Sequence, residues 1–108
     1  MQSKDLEIFN QMPFLFWAKD EESRYIWGNR VINELAGESV VGKRDDELPW
    51  AENAAALVAH DRQVLDTGKP VFTNEHVDSP DNVMLSVCKF PGELDGKRCT
   101  FGISFVIE

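Results

Sequence analysis

Few residues of this chain are of a type and spacing that could do chemistry, and the sharpest is an acid in the wrong company. Stepping 100° per residue along the helical pattern from Glu52 to Asp66 puts Ala54, Leu57, Val58, Val64 and Leu65 on one face, with Asp61 in its middle. An ionised carboxylate there needs donors or a raised pKa. The expectation is an Asp61 that accepts from backbone N–H groups or pairs with an arginine, ahead of one that touches a ligand. His60 lies at the edge of that face beside Leu57 and Val64, and reads as a half-exposed flank residue. As a general acid–base pair, Asp61 and His60 would suit a small isomerase-like α+β enzyme, but neighbours on a helix diverge by 100°, which works against a shared substrate. His76, between Glu75 and Val77, is expected to face solvent. The acid runs Glu21-Glu22 and Asp45-Asp46-Glu47 fall in turn-like segments and read as solvated surface.

Other chemistries lack their signatures. Cys88 and Cys99 have no CxxC or HxxxH companions for zinc, and they meet only if their strands pair in one particular register, so free thiols are expected. No Gly-rich phosphate loop, GxSxG or Ser/His/Asp spacing is present. Trp17, Trp27 and Trp50 could stack on a planar ligand, yet at least two of them are expected to serve as core area.

The elements that must position these residues follow from size and pattern. The chain has 108 residues, 43% hydrophobic and 28% charged, so it holds one core, and any ligand must sit inside that core rather than between domains. With 11 Lys+Arg against 19 Asp+Glu the net charge is −8, which opposes phosphate backbones and anionic lipids; no nucleic-acid or membrane partner is expected for this segment. No apolar run approaches the roughly 20 residues of a membrane span, and the start lacks a basic-then-apolar leader, so the segment reads as cytoplasmic.

Residues 1–12 predict a short amphipathic helix, capped by Ser3 and stopped by Pro13, ahead of a core over 13–107. Phe14 to Ala18 reads as a strand covered on both faces. The turn Lys19 to Ser23 joins it to Arg24-Tyr25-Ile26-Trp27, with Tyr25 and Trp27 on one face and Ile26 on the other. Asn29 caps a helix that Gly37 ends, Asp45 to Trp50 makes one helical turn, and Gly68 and Pro70 close the long helix. Three strands finish the chain, Pro70–Val77, Val83–Phe90 and Arg98–Ile107, separated by Ser79-Pro80-Asp81-Asn82 and by Pro91 to Gly96. One antiparallel sheet with helices on a face is an α+β domain.

The run Pro13 to Gly37, with Asp20 in the hairpin turn and Asn29 opening the helix, resembles the first half of bacterial PAS sensor domains. Val41-Gly42-Lys43 and His60 to Pro70 resemble the stretch between their central helix and third strand. The resemblance spans residues 3–107 and implies a single PAS-like domain: a five-stranded antiparallel sheet, short helices on one face and an N-terminal helix. It implies a non-catalytic sensor or dimerisation module of a signalling protein, which binds a small ligand and regulates an attached output such as a histidine kinase or a transcription regulator.

Some PAS relatives hold haem through a His on the central helix, which would be His60 here; without supporting polar neighbours the flank reading is preferred. Light-sensing relatives carry a flavin-reactive Cys where this chain reads Arg44-Asp45-Asp46-Glu47-Leu48-Pro49-Trp50, so no flavin photocycle is expected and no cofactor is assigned. The last strand alternates Cys99, Phe101, Ile103, Phe105, Ile107 with Arg98, Thr100, Gly102, Ser104, Val106. By itself the alternation would turn the apolar set toward the helices. The resemblance reverses that: Thr100, Gly102 and Ser104 would line a cavity, while Phe101, Ile103 and Phe105 join Leu6 and Phe9 at the back of the sheet, where a second subunit packs. Leu57, Asp61, Val64, Ser86 and Cys88 complete the expected lining, which suits a small organic molecule.

Overall fold

The aromatic run after Phe14 becomes strand β1 (Leu15–Lys19), with all five residues buried. In this computed structural model residues 1–77 and 83–107 are described, without the side chains of residues 76, 77 and 83. The expected turn Ser79-Pro80-Asp81-Asn82 and the side chain of His76 therefore lie outside the described residues. After β1 come β2 (Tyr25–Gly28), helix α1 (Arg30–Ala36), helix α2 (Ala54–Thr67), β3 (Val71–Val77), β4 (Val83–Leu94) and β5 (Lys97–Ile107). The strands form one antiparallel sheet in the order β2-β1-β5-β4-β3. A hairpin, a helical crossover and a three-strand meander thus place the first and last strands side by side at the centre. This sets aside the isomerase-like alternative, whose helices would precede a longer curved sheet.

Asn29 holds the first half together. Its Oδ1 accepts from Ile32 N and Phe16 N, both at 3.2 Å, and its Nδ2 donates to Phe9 O and Phe14 O, both at 2.8 Å. One buried amide therefore caps α1 and pins the N-terminal segment to β1. Gly37 (φ 78°) and Gly68 (φ 69°) end α1 and α2 in the left-handed conformation, as their positions predict.

Three expectations need correction. The N-terminal helix is a 3-10 helix over Ser3–Gln11, and Ser3 is not its cap. Ser3 N donates to Asp95 Oδ1 at 2.9 Å and its hydroxyl bonds Asp95 Oδ2, tying the segment to the β4–β5 turn. The expected loop from Pro91 to Gly96 shrinks to the two-residue turn Asp95-Gly96, with φ of 53° and 81°. Asp-Gly is a strong tight-hairpin signal, and it carries β4 four residues and β5 one residue further than the prolines and glycines suggest. Finally, a register irregularity between Ala18 and Lys19 breaks the alternation across β2: Tyr25 joins the helix side, while Trp27 and Ile26 pack at the back.

Two clusters result. On the helix side Leu15, Trp17, Tyr25, Ile32, Trp50 and Leu57 pack together. On the back Leu6 and Phe9 cover Phe16, Ala18, Cys99 and Phe101, with the Phe9 and Phe16 rings stacked at 4.2 Å. Among the described residues no helix is long and apolar enough to cross a membrane.

Candidate functional site

On the helix side β1 and β4 each continue an inward-facing apolar series into a lysine. Leu15, Trp17 and Lys19 share one face of β1, and Leu85, Val87 and Lys89 share one face of β4; both lysines are 1% exposed. A buried ammonium demands compensation. Lys19 Nζ sits 2.6 Å from Asp45 Oδ2 and 2.9 Å from Asp61 Oδ2, and 4.8 Å above the Tyr25 ring. Asp45 Oδ1 also accepts from Tyr25 OH at 2.8 Å and Trp50 Nε1 at 2.9 Å, and Asp61 Oδ2 from Ser23 Oγ at 3.0 Å.

Lys89 is held more loosely. Its Nζ donates to Leu57 O at 3.2 Å, 3.4 Å from Asp61 Oδ1 and 3.6 Å from Glu75 Oε1. Glu75 Oε1 accepts from Thr73 Oγ1 at 3.1 Å and lies 3.3 Å from His60 Nδ1. Burial disfavours the Lys19 charge, but Asp61 and Asp45 outweigh it and hold its pKa above the ordinary lysine value. Burial, then the Asp45 carboxylate, pushes the Tyr25 phenol well above its usual value.

These charges edge a cavity of about 410 Å³, open mouth included. Its walls are mainly Leu15, Trp17, Tyr25, Ile32, Trp50 and Leu57, and Lys19, Lys89 and Glu75 supply polar atoms. Apolar walls with a few convergent polar groups describe a small-molecule site. Water centres can reach only about 30 Å³ of it, which is room for about two waters at ~10–15 Å³ each.

Of the residues singled out in the sequence, Leu57 lines the cavity. Asp61 is fully buried one step behind it, bonded to lysines rather than to an arginine or backbone, and acts on the cavity through Lys19 and Lys89. Val64 is fully buried away from it. Thr100, Gly102 and Ser104 do face the helix side, but the Trp17 indole packs directly on Gly102, where a Cβ would stand 2.1–2.5 Å from its ring atoms. Ser86 and Cys88 point to the other face. The β4–β5 register sets them opposite Phe105 and Ile103, and directly paired antiparallel residues share a face. That register also separates Cys88 from Cys99, which lies opposite Gly92; both thiols are free.

His60 is on the flank, against Glu75. Among the described residues no group of three or more His, Cys, Asp or Glu could hold a metal ion. Trp17 and Trp50 are core residues and cavity walls at once, so for them the two sequence readings coincide. Asp45 overturns the reading of its acid run as surface: it is 1% exposed, because Lys19, Tyr25 and Trp50 converge on it. Lys19, Lys89, Tyr25 and Glu75 are site residues that sequence reasoning missed. For the lysines the available signal was the continued two-residue period, Leu-Trp-Lys and Leu-Val-Lys.

The family model described as the PAS fold matches residues 9–106. Among solved structures, Vibrio cholerae VqmA is 26% identical over 97% of this chain and 51% of its own, with a TM-score of 0.85. VqmA bound to DPO is also 26% identical, over 96% of this chain and 57% of that one, with a TM-score of 0.84. The PAS domain of nitrogen regulation protein NR(II) from Vibrio parahaemolyticus, 19% identical over 97% of this chain and 99% of its own, shares the fold (TM-score 0.74). Among curated proteins none matches this chain in sequence. The chain spans about half the length of the VqmA chains it resembles. VqmA is also described in complex with DNA, so the charge argument against a nucleic-acid partner reaches no further than these 108 residues.

Proposed function

The chain belongs to the PAS fold family, and on that premise we propose that it is a non-catalytic sensor module that binds a small, flat, acceptor-bearing organic molecule on its helix side and reports occupancy to an output region. The observation that carries this reading is the pair of ammonium groups, Lys19 and Lys89, buried at the wall of an otherwise aromatic and aliphatic cavity. Lys19 is committed to two short carboxylate bonds; Lys89, with one hydrogen bond at 3.2 Å and two longer ion pairs, has donor capacity to turn toward a ligand oxygen or ring nitrogen.

The output we favour is DNA binding, by analogy with VqmA, which is known both bound to DPO and in a complex with ligand and DNA. A ligand shifts an output only through states that it binds unequally. The contacts of Asp61 give such a route, since one carboxylate on α2 joins β1 and β4 through Lys19 and Lys89. We further assign a second copy of this chain to the open part of the sheet's back. The N-terminal helix covers the β1 half, but Phe72 on β3 is 74% exposed and Phe105 on β5 50% exposed on the same face.

Calorimetric titration with DPO, beside native mass spectrometry of freshly purified protein, tests the reading. Saturable binding that falls at least tenfold in Lys89→Met supports it. Binding indifferent to Lys89→Met would move the site elsewhere, and a protein that neither retains a small molecule nor binds DPO would count against ligand sensing.

A further inference from the structure

Four buried side-chain polar atoms on the helix side have no hydrogen-bond partner among the described residues: Asp61 Oδ1, which faces the Lys89 ammonium at 3.4 Å, and three on the sheet itself with no charge to answer them, Trp17 Nε1, Thr100 Oγ1 and Ser104 Oγ. The three on the sheet surround one feature. Trp17 pairs with Gly102, and its indole, Nε1 included, occupies the volume where a Cβ on Gly102 would stand. Thr100 and Ser104 flank Gly102 on the same face of β5, two residues to either side. Buried polar atoms left unpaired are disfavoured and rare, so three around one glycine call for an explanation. The same indole is also a wall of the cavity, whose water-sized space is only about 30 Å³. A ring-sized ligand does not become enclosed there unless a wall moves.

We propose that Trp17 is a displaceable wall, and that behind it Thr100, Gly102 and Ser104 form a second compartment that takes the polar edge of a flat ligand. This rests on the cavity reading above and deepens it. Gly102 is the residue that lets a flat group, indole or ligand, lie against β5. The hydroxyls of Thr100 and Ser104 can donate or accept, whereas the indole N–H and the two ammonium groups only donate. The ligand class is therefore a heteroaromatic or cyclic carbonyl compound with acceptors on more than one edge: one for Lys89, one for the hydroxyls. Phosphates and metal ions do not match this mixture of aromatic walls and neutral hydroxyls.

The test follows the Trp17 indole N–H by nuclear magnetic resonance in the whole chain, its signal assigned with Trp17→Phe. Without ligand, Gly102→Ala is expected to shift that signal and raise its exchange with water at least tenfold while the protein melts cooperatively. An unmoved signal in the folded variant overturns the proposal whether or not DPO binds. Should Gly102→Ala not fold, the double variant Thr100→Val, Ser104→Ala decides: it is expected to melt at a higher temperature than the parent, because two unpaired hydroxyls are gone, and to bind DPO at least fivefold more weakly. Hydroxyls with a merely structural role would not both stabilise when removed and weaken binding. DPO that shifts the Leu57 and Leu85 methyls but leaves the Trp17 signal in place overturns the displaceable wall and keeps the cavity reading. No DPO shift anywhere counts against that reading, while the ligand-free melting and exchange measurements still decide the wall.

Discussion

The two faces of the one sheet solve the same packing problem with opposite chemistry. The back is held by aromatic and aliphatic contact: Phe16 touches Phe9, Trp27 and Phe101 with ring centroids 4.2 to 6.2 Å apart. The helix side contains two ammonium groups and two fully buried carboxylates bonded across β1, β4, α2 and the turn at Asp45. Area burial is tolerant of detail, whereas a desolvated ion pair is favourable only in one geometry. The back thus supplies stability, and the helix side spends some of it on a unique arrangement of donors. Such an arrangement is what a binding site requires, and it makes the helix side the face more easily broken.

The largest effect should come from Asp61→Ala, which leaves Lys19, Lys89 and Ser23 short of an acceptor at once. Removing one partner of a buried pair costs about 3–5 kcal/mol, measurable by urea unfolding. Leu6→Ala on the back opens a cavity under a short helix that can settle into it, so its loss should lie near the low end for leucine, about 2 kcal/mol. If Leu6→Ala proved the costlier of the two, the ion network would be an accessory and the contrast between the faces would fail.

Alkaline pH sharpens the same comparison. Burial pushes the Cys99 thiol on the back from 9.0 up to about 11, and Tyr25 and Lys19 on the helix side also have raised values. A raised pKa in the folded state means that the folded form holds its proton more tightly. The stabilisation is complete below the unfolded value and is lost as pH rises through the folded one. Stability should therefore begin to fall weakly above pH ~8, where the N-terminal amine held protonated by Glu93 ordinarily titrates. It should fall more steeply above about pH 9 through Cys99, by on the order of 2 kcal/mol and with Cys88 raised in the same direction, and beyond pH ~10 through Tyr25 and Lys19. In Cys99→Ala the loss that sets in above about pH 9 should shrink in a denaturant-midpoint profile against pH, leaving the smaller part from Cys88, while the loss through Tyr25 and Lys19 stays.

How much of this could be read in advance differs between the faces for the same physical reason. Apolar residues at every second position of β5 mark one greasy face but do not say which side the helices take; Leu6, Phe9, Phe101 and Ile103 form one cluster behind the sheet. Elements bounded by a cap or a left-handed glycine, such as α1 between Asn29 and Gly37, are equally legible because their signal is local. The ion network is not local. Lys19 and Asp61 are 42 residues apart, and only the β1–β5 pairing and the fold of α2 bring them together. A lysine after an apolar run reads as the start of a turn until its acceptors are known. Ser86 and Cys88 fell on the wrong face because the choice depended on the β4–β5 register, and a two-residue hairpin at Asp95-Gly96, rather than a loop, fixes it.

The smallest effect on stability should accompany the clearest effect on assembly. Phe72 pairs with Cys88 across β3 and β4, so it stands on the back face, yet the N-terminal helix stops short of it. Phe105, two strands away on that face, has its ring 5.2 Å from Phe14 and is half exposed. Replacing such an exposed side chain by a polar one changes monomer stability by about 0.5 kcal/mol or less. If a second copy covers this half, however, Phe72→Ser removes a large aromatic from the centre of an interface, where truncations commonly cost about 2 kcal/mol or more. Sedimentation equilibrium of the parent should then show a dimer, and the variant should dissociate at least about tenfold more readily with an unchanged melting profile at low concentration. A monomeric parent, or a variant that associates as the parent does, would leave the back of the sheet a packing surface only, and the two faces would differ in chemistry without dividing sensing from assembly.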